Sequence, residues 1–371
     1  MDEKLKIGID ASRAFVKNKT GIEEYSYQVI KHLREHLKDQ QVILYTRPGG
    51  DEQVDFRLPE NWEIKVLSWR YLWTQIALSL ELLINPIDTL FVPAHTLPFI
   101  HPKNSIVTIH GLEYEFSPES YSFYSRLFHR FFIKKSCKWA SKIITVSEKT
   151  KQDLHKIYGV QAQKMKVIPN GFATPKSDKN IFKKNNQVAR LSKKKKGYLF
   201  FIGRLEERKN ILGIVKSFEL LKGKYKYPGK LILAGQPGHG YSEIKKVLDK
   251  SKYKKSIKHL GFLKDDKKWK LLQGADLCMF PSHSEGFGIP IIEAQSMKTP
   301  VITSNRSPMK ETVGDERVLV DPDNPKDIAK VANKVLRDET LRNNITEQGL
   351  KNIKRFSWDK TAEEIGKILK K

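Results

Sequence analysis

Short, nearly continuous apolar runs alternate with helical patterns along the chain, twice over, with one lysine-rich break between the two series. In the first half the runs are Leu5–Ile9, Val42–Tyr45, Ile64–Leu67, Thr89–Val92, Ile106–Ile109 and Lys142–Val146. Between them lie helical patterns over Ile22–Leu37, Tyr71–Ile84, Pro118–Lys138 and Glu148–Tyr158. The second half repeats the alternation with strands Tyr198–Ile202, Leu231–Ala234, Ile257–Leu260, Leu277–Phe280, Val301–Thr303 and Val318–Val320. Its predicted helices include Ile211–Leu221, Tyr241–Ser251, Asp266–Gln273, Pro290–Ser296 and an amphipathic Trp358–Lys371. Strands that are apolar on both faces need helices on both sides of a parallel sheet. The predicted class is therefore α/β, with two doubly wound, Rossmann-like domains facing a central cleft. Ligands in such sheets bind at the carboxyl ends of the strands. Residues 1–172 form the first domain, the polar stretch 173–196 a linker, and 197–355 the second domain.

The chain has 371 residues and a net charge of +26, from 68 basic and 42 acidic side chains. Such an excess attracts polyanions: nucleic acid, an anionic membrane face or a phosphorylated substrate. Only Cys137 and Cys278 are present, without metal-ligand spacing, which fits a reducing compartment. The N-terminus leads straight into a strand, and no apolar run reaches about 18 residues. The expectation is a cytoplasmic protein, peripheral on the inner face of the cell membrane at most.

Chemistry concentrates in Ser284-Glu285-Gly286-Phe287-Gly288-Ile289-Pro290-Ile291-Ile292-Glu293. A buried strand precedes it, Gly286 and Gly288 let backbone approach a ligand, and Pro290 suits a first helical turn. Strand, glycine loop and helix start together make an anion site. Glu285 is placed at the loop entrance and Glu293 in the first helical turn. Plain helix capping is the alternative, since a carboxylate there is favourable by itself.

A second strand end carries Gly203-Arg204-Leu205-Glu206-Glu207-Arg208-Lys209-Asn210, with Asn210 a good N-cap. A lysine at a helix start opposes the dipole unless an anion intervenes. Arg204 and Lys209 therefore read either as a pyrophosphate clamp or as surface partners of Glu206 and Glu207. In the first half, Gly21 precedes a helix without a GxGxxG spacing, and His110-Gly111 closes a strand. Residues 121–138 interleave aromatics with bases, the profile of a helix on an anionic membrane. The same apolar face could instead pack on the first sheet.

These residues resemble the retaining glycosyltransferases of family 4, which have the GT-B fold. The resemblance rests on Gly203-Arg204-Leu205, Lys209-Asn210, the Glu285–Glu293 element, Ile168-Pro169-Asn170-Gly171, Thr145-Val146-Ser147, His110-Gly111 and Phe356-Ser357-Trp358. It covers essentially the whole chain, and the Glu-x7-Glu element is its specific part. It implies that Arg204 and Lys209 bind the donor diphosphate and that Glu293 accepts the ribose hydroxyls. Glu285 would sit by the transferred sugar, with Gly286, Phe287, Gly288 and Ile289 lining the donor site beside Gly203. His110 would contact the sugar near the reacting carbon, and Gly21 would let the first loop close over the phosphates. The resemblance implies no cofactor and no metal, retention by front-face attack, and residues 356–371 as a helix returning to the first domain. Gly111 stands where the family often has Asp, and Thr20-Gly21 where it often has two glycines. Ile9-Asp10-Ala11-Ser12-Arg13 with Gly21-Ile22-Glu23 is similar to mannosyltransferases of surface-polysaccharide assembly.

The expected activity is thus hexose transfer, mannose favoured, from a GDP- or UDP-linked sugar to a glycan or lipid-linked acceptor. No specific nucleic acid is expected as a partner. A nucleotide-sugar epimerase or hydrolase would use the same pocket, and a basic membrane- or nucleic-acid-binding module is the non-enzymatic alternative.

Overall fold

The computed structural model describes residues 5–17, 19, 21–116, 118–172 and 197–371. The chain forms two compact units: Met1–Gly171 with Phe356–Lys371, and Phe172–Arg355. The expected linker 173–196 lies outside the described residues.

The first unit holds a seven-stranded parallel sheet of order β3-β2-β1-β4-β5-β6-β7. The strands are β1 (Lys6–Asp10), β2 (Gln41–Thr46), β3 (Trp62–Val66), β4 (Thr89–Val92), β5 (Asn104–Ile109), β6 (Lys142–Thr145) and β7 (Met165–Val167). The central β1 places Ile9 opposite both Leu44 and Phe91, all fully buried. Covering helices are α1 (Gly21–His36), α2 (Ala77–Ile84), α3 (Glu113–Phe116), α4 (Phe123–Trp139) and α5 (Glu148–Tyr158). The chain's last helix, Trp358–Leu369, packs against α1 in this unit. There Gly171 lies against the Trp358 backbone, too close for a Cβ, and Thr361 Oγ1 donates to Pro169 O at 2.9 Å.

Three expectations for this half need correction. The helix expected from Tyr71 begins at Ala77. Leu72 is left-handed at φ 47°, while the Trp73 indole donates to Leu67 O and Thr74 to Asp10, so residues 72–75 serve those contacts instead. The helix expected from Pro118 begins at Phe123, because Ser122 is extended and caps it by accepting Ser125 N–H. Its aromatic face does not settle on the sheet as a whole: Ile133 and Cys137 are buried, whereas Phe123, Tyr124, Leu127 and Phe131 are exposed. Strand β7 was not expected, since three residues around an exposed Lys166 make no apolar run.

The second unit holds a six-stranded parallel sheet of order β10-β9-β8-β11-β12-β13. Its strands are β8 (Tyr198–Ile202), β9 (Lys230–Ala234), β10 (Ile257–His259), β11 (Leu277–Phe280), β12 (Val301–Ser304) and β13 (Leu319–Val320). Phe200 and Cys278 pair across the centre, and Phe201 stacks on Phe280 with ring centroids 6.3 Å apart. Helices α6 (Ile211–Gly223), α7 (Tyr241–Lys250), α8 (Asp265–Gln273), α9 (Ile289–Ser296), α10 (Met309–Val313), α11 (Pro325–Arg337) and α12 (Glu339–Asn352) complete the unit; the last helix of the chain is α13. In both sheets the strand order reverses between the first strand and its fourth, which opens a crevice at their carboxyl ends.

Candidate active site

The strand ends of the second unit bring the loops after β8 and β11 together. Asn210 joins them. Its Oδ1 caps α6 by accepting Gly213 N–H at 3.1 Å, and its Nδ2 donates to Pro281 O and Pro322 O. The amide is buried and left-handed at φ 58°, a conformation asparagine tolerates. His283 N–H donates to Arg208 O, adding a backbone link.

That frame sets Lys209 against Glu285. Lys209 Nζ lies 2.6 Å from Glu285 Oε2 and also contacts Oε1. Arg208, which carried no expected role, reaches Glu285 Oε2 at 3.2 Å, Ser284 O at 2.8 Å and Glu206 Oε1 at 2.6 Å. The expected surface pairing of Arg204 and Lys209 with Glu206 and Glu207 is therefore not formed. Arg208 takes Glu206, and Lys209 takes Glu285. Arg204 is exposed at the end of β8 and has no side-chain partner among the described residues.

Burial opposes charge on both members of the pair. It pulls Lys209 below the ordinary lysine value, with Glu285 acting in the other direction. Burial would raise Glu285, but Lys209 and Arg208 outweigh it and hold the carboxyl below its ordinary value. Glu285 is an anion at neutral pH. The dipole conflict at the head of α6 is thus relieved by a carboxylate of the protein itself.

The glycine loop is pinned at both ends. Arg208 holds Ser284 O, and Thr312 Oγ1 donates to Phe287 O at 2.7 Å. Between them lies Gly286; Gly288 caps α9 at φ 101°, and no side chain caps that helix start. Ile289 and Pro290 form its first turn. Glu293 is the fifth helical residue, so it sits in the second turn and not the first. Its Oε1 meets Lys268 Nζ at 3.0 Å. Gly203 (φ 149°) and Gly235 (φ 143°) close the base of the crevice: a Cβ on Gly235 would lie 1.7 Å from Gly203 O.

In the first unit, His110 follows β5, and its Nε2 donates to Pro93 O at 2.8 Å. Burial pushes the imidazole down to about 4, so it is neutral at pH 7. The Tyr25 ring stands edge-on at 4.5 Å, and His95 at 5.2 Å. Arg13 pairs with Glu23 at 3.1 Å, clipping the first loop to α1. A Cβ on Gly21 would meet nothing within 4 Å. Thr20 lies outside the described residues, and Gly111 is buried against Glu113.

Sequence reasoning missed Arg208, Lys268 and His95. Arg208 stands in the same run as Lys209, which was its one signal. No group of three His, Cys, Asp or Glu positioned to hold a metal is found among the described residues.

Two doubly wound parallel-sheet α/β units, each with polar side chains at its strand ends, make up the GT-B architecture. Residues 19–175 match the model of Glycosyltransferase Family 4, and residues 182–352 that of Glycosyl transferases group 1. Together the two matches span most of the chain, which carries both glycosyltransferase domains and is similar to the family 4 enzymes. The O-antigen chain mannosyltransferase B of Escherichia coli is 34% identical over 165 residues, 44% of this chain and 43% of that protein. The O-antigen chain mannosyltransferase RfbU of Salmonella typhimurium is 26% identical over 84% of this chain and 85% of its own length. The HepE structure from Anabaena in complex with UDP-glucose superposes with a TM-score of 0.72 at 18% identity, covering 99% of both chains, which supports the fold. Among the described residues no helix is long and apolar enough to cross a membrane.

Proposed function

We propose that this glycosyltransferase moves a hexose, mannose in first place, from a nucleotide-diphosphate sugar to a glycan or lipid-linked acceptor of cell-surface polysaccharide. Similarity to the two O-antigen mannosyltransferases supports the sugar and the pathway class. The observation that carries the reaction is the contrast between Arg204 and Lys209 after β8. Lys209 is neutralised by Glu285, whereas Arg204 is exposed and unpaired among the described residues. An exposed cation at a strand end, in a unit that also holds an uncapped helix start at Gly288, suits a diphosphate.

In this reading Arg204 takes the leaving diphosphate, and Lys209 orients Glu285 toward the sugar. Glu293 accepts the ribose hydroxyls with its second oxygen. The bond from the anomeric carbon to the phosphate oxygen breaks as the acceptor hydroxyl attacks from the same face. The departing phosphate accepts the acceptor's proton, and attack on the face that the phosphate leaves retains the anomeric configuration. The protein's cations carry the leaving charge, and no metal is invoked. Incubation with GDP-mannose or UDP-glucose, plus acceptor and EDTA, tests this. Transfer that survives the chelator with an α-linked product supports it; chelator-abolished or inverting transfer sinks it.

The exposed face of α4 supports peripheral membrane binding. Phe123, Tyr124, Leu127 and Phe131 project outward, and Phe99 packs on Phe132 and Trp139 beside them. Arg126, Arg130, Lys134 and Lys135 flank these residues on the same helix, a composition suited to anionic headgroups.

A further inference from the structure

His110 is one of two histidines at the strand ends of the first unit, and the second has no assigned role. His95 lies between β4 and β5. Its backbone N–H donates to Thr108 O at 2.9 Å, two residues before His110. Its φ is 61°, the left-handed region, which for a non-glycine residue is held only by its surroundings. That conformation brings the ring within 5.2 Å of the His110 ring, tilted 74°.

The hydrogen bonds of the two rings are complementary. The Pro93 carbonyl can only accept, so the His110 proton is on Nε2 and its Nδ1 presents a lone pair. That lone pair has no partner among the described residues. His95 Nδ1 is buried without a partner. An enclosed lone pair is tolerated better than an enclosed orphan N–H. The His95 proton is therefore on Nε2, which also lacks a protein partner among the described residues. Burial holds both rings neutral, and His110, His129 and Arg13 further disfavour charge on His95.

We infer that His95 and His110 form a matched donor and acceptor for one hydroxyl of a bound sugar. The hydroxyl donates to His110 Nδ1 and accepts from His95 Nε2. A sugar hydroxyl satisfies both nitrogens at once, whereas an ionised carboxylate or the diphosphate of a nucleotide sugar has no proton for Nδ1. His95 is on this view a specificity-determining residue of a sugar site, and Thr108 and the left-handed backbone position it. The inference rests on the proposed glycosyltransfer for the relevance of that sugar.

Histidine-selective 15N labelling of the full chain tests it, with methyl α-D-mannopyranoside as the probe. The glycoside should move the His110 Nδ1 and His95 Nε2 resonances together. One monodeoxy analogue should lose both shifts. His95→Phe should weaken glycoside binding roughly tenfold, the loss of one hydrogen bond left unmade, while GDP and UDP bind as before. His95→Asn, which tolerates the left-handed backbone, guards against misfolding and should bind as weakly. Nucleotide binding with neither histidine moved by the glycoside overturns the pair and leaves glycosyltransfer standing. Undiminished glycoside binding by both folded variants does the same. A folded chain that binds neither nucleotide nor glycoside overturns the pair together with the proposed function.

Discussion

Lys209 Nζ lies 2.6 Å from Glu285 Oε2, so the cation at the head of α6 and the carboxylate of the glycine loop neutralise one another across 76 residues of chain. Arg204, five positions earlier, has no such partner among the described residues. The two cations therefore differ in what their removal does.

Arg204→Ala should lower kcat by about 10²–10³, the effect of deleting one preorganised contact to developing charge, with Tm unchanged. Lys209→Ala should lose activity and also about 3 kcal/mol of stability, because a buried carboxylate is left with Arg208 alone. Steady-state kinetics and thermal denaturation on the same preparations separate the two. Equal Tm losses in both variants would contradict the assignment.

The acid limb of stability should depend on Glu285. Its folded-state value lies below the ordinary 4.5, so the ionised form is favoured by folding. That stabilisation is fully present above about pH 5 and is lost as pH falls through the folded-state value. Between pH 7 and 3, Glu285→Gln should start less stable and fall less steeply than the native chain. Parallel pH–Tm curves for the two would rule out the ion pair as the source.

Two glycines should respond oppositely. Gly235→Ala forces a Cβ to 1.7 Å from Gly203 O in a backbone region that side chains avoid, and should destabilise by more than about 2 kcal/mol. Gly21→Ala meets open space at a helix start, so stability should change by less than about 0.5 kcal/mol. If the first loop closes over phosphates, the same alanine raises KM for the donor. Donor kinetics equal to those of the native chain would show that the space above Gly21 is not used.

The aromatic face of α4 gives a sedimentation test. Phosphatidylglycerol vesicles should carry the protein down at low salt and release it as salt rises. Phe123→Glu with Leu127→Glu should cut vesicle binding severalfold, with circular dichroism unaltered, since both side chains are exposed. Equal pelleting of native and variant protein would argue against a membrane face.

The doubly wound architecture was legible because its strands are buried on both faces, and Thr89–Val92, Tyr198–Ile202 and Leu277–Phe280 stand in the sequence as uninterrupted apolar runs. Strand β7 was not, since Lys166 faces solvent between Met165 and Val167. Arg204 and His110 stand at strand ends because they follow such runs closely, and Lys209 and Glu285 lie in the loops beyond two of those runs. Their partners were not legible: Lys209 pairs with Glu285 and not with its acidic neighbours Glu206 and Glu207, and Arg208 spans Glu206 and Glu285, once the Asn210 bridge has joined the two loops. Glu293 finds Lys268 on a helix 25 residues earlier. His95 was hidden for a different reason, because the left-handed turn that brings it to His110 leaves no mark in the pattern of apolar residues.

The Pro169–Gly171 segment and helix α13 meet within one unit, with Gly171 against Trp358 and Thr361 bonded to Pro169 O. Trp358 in turn stands 5.9 Å from the Tyr25 ring that abuts His110. The half made first on the ribosome is consequently the half completed last. Its sheet must wait, with the α1 surface uncovered, until the other sheet and α12 have been translated. The second unit, Phe172–Arg355, is contiguous and lies in the chain wholly between the two pieces of the histidine-bearing half.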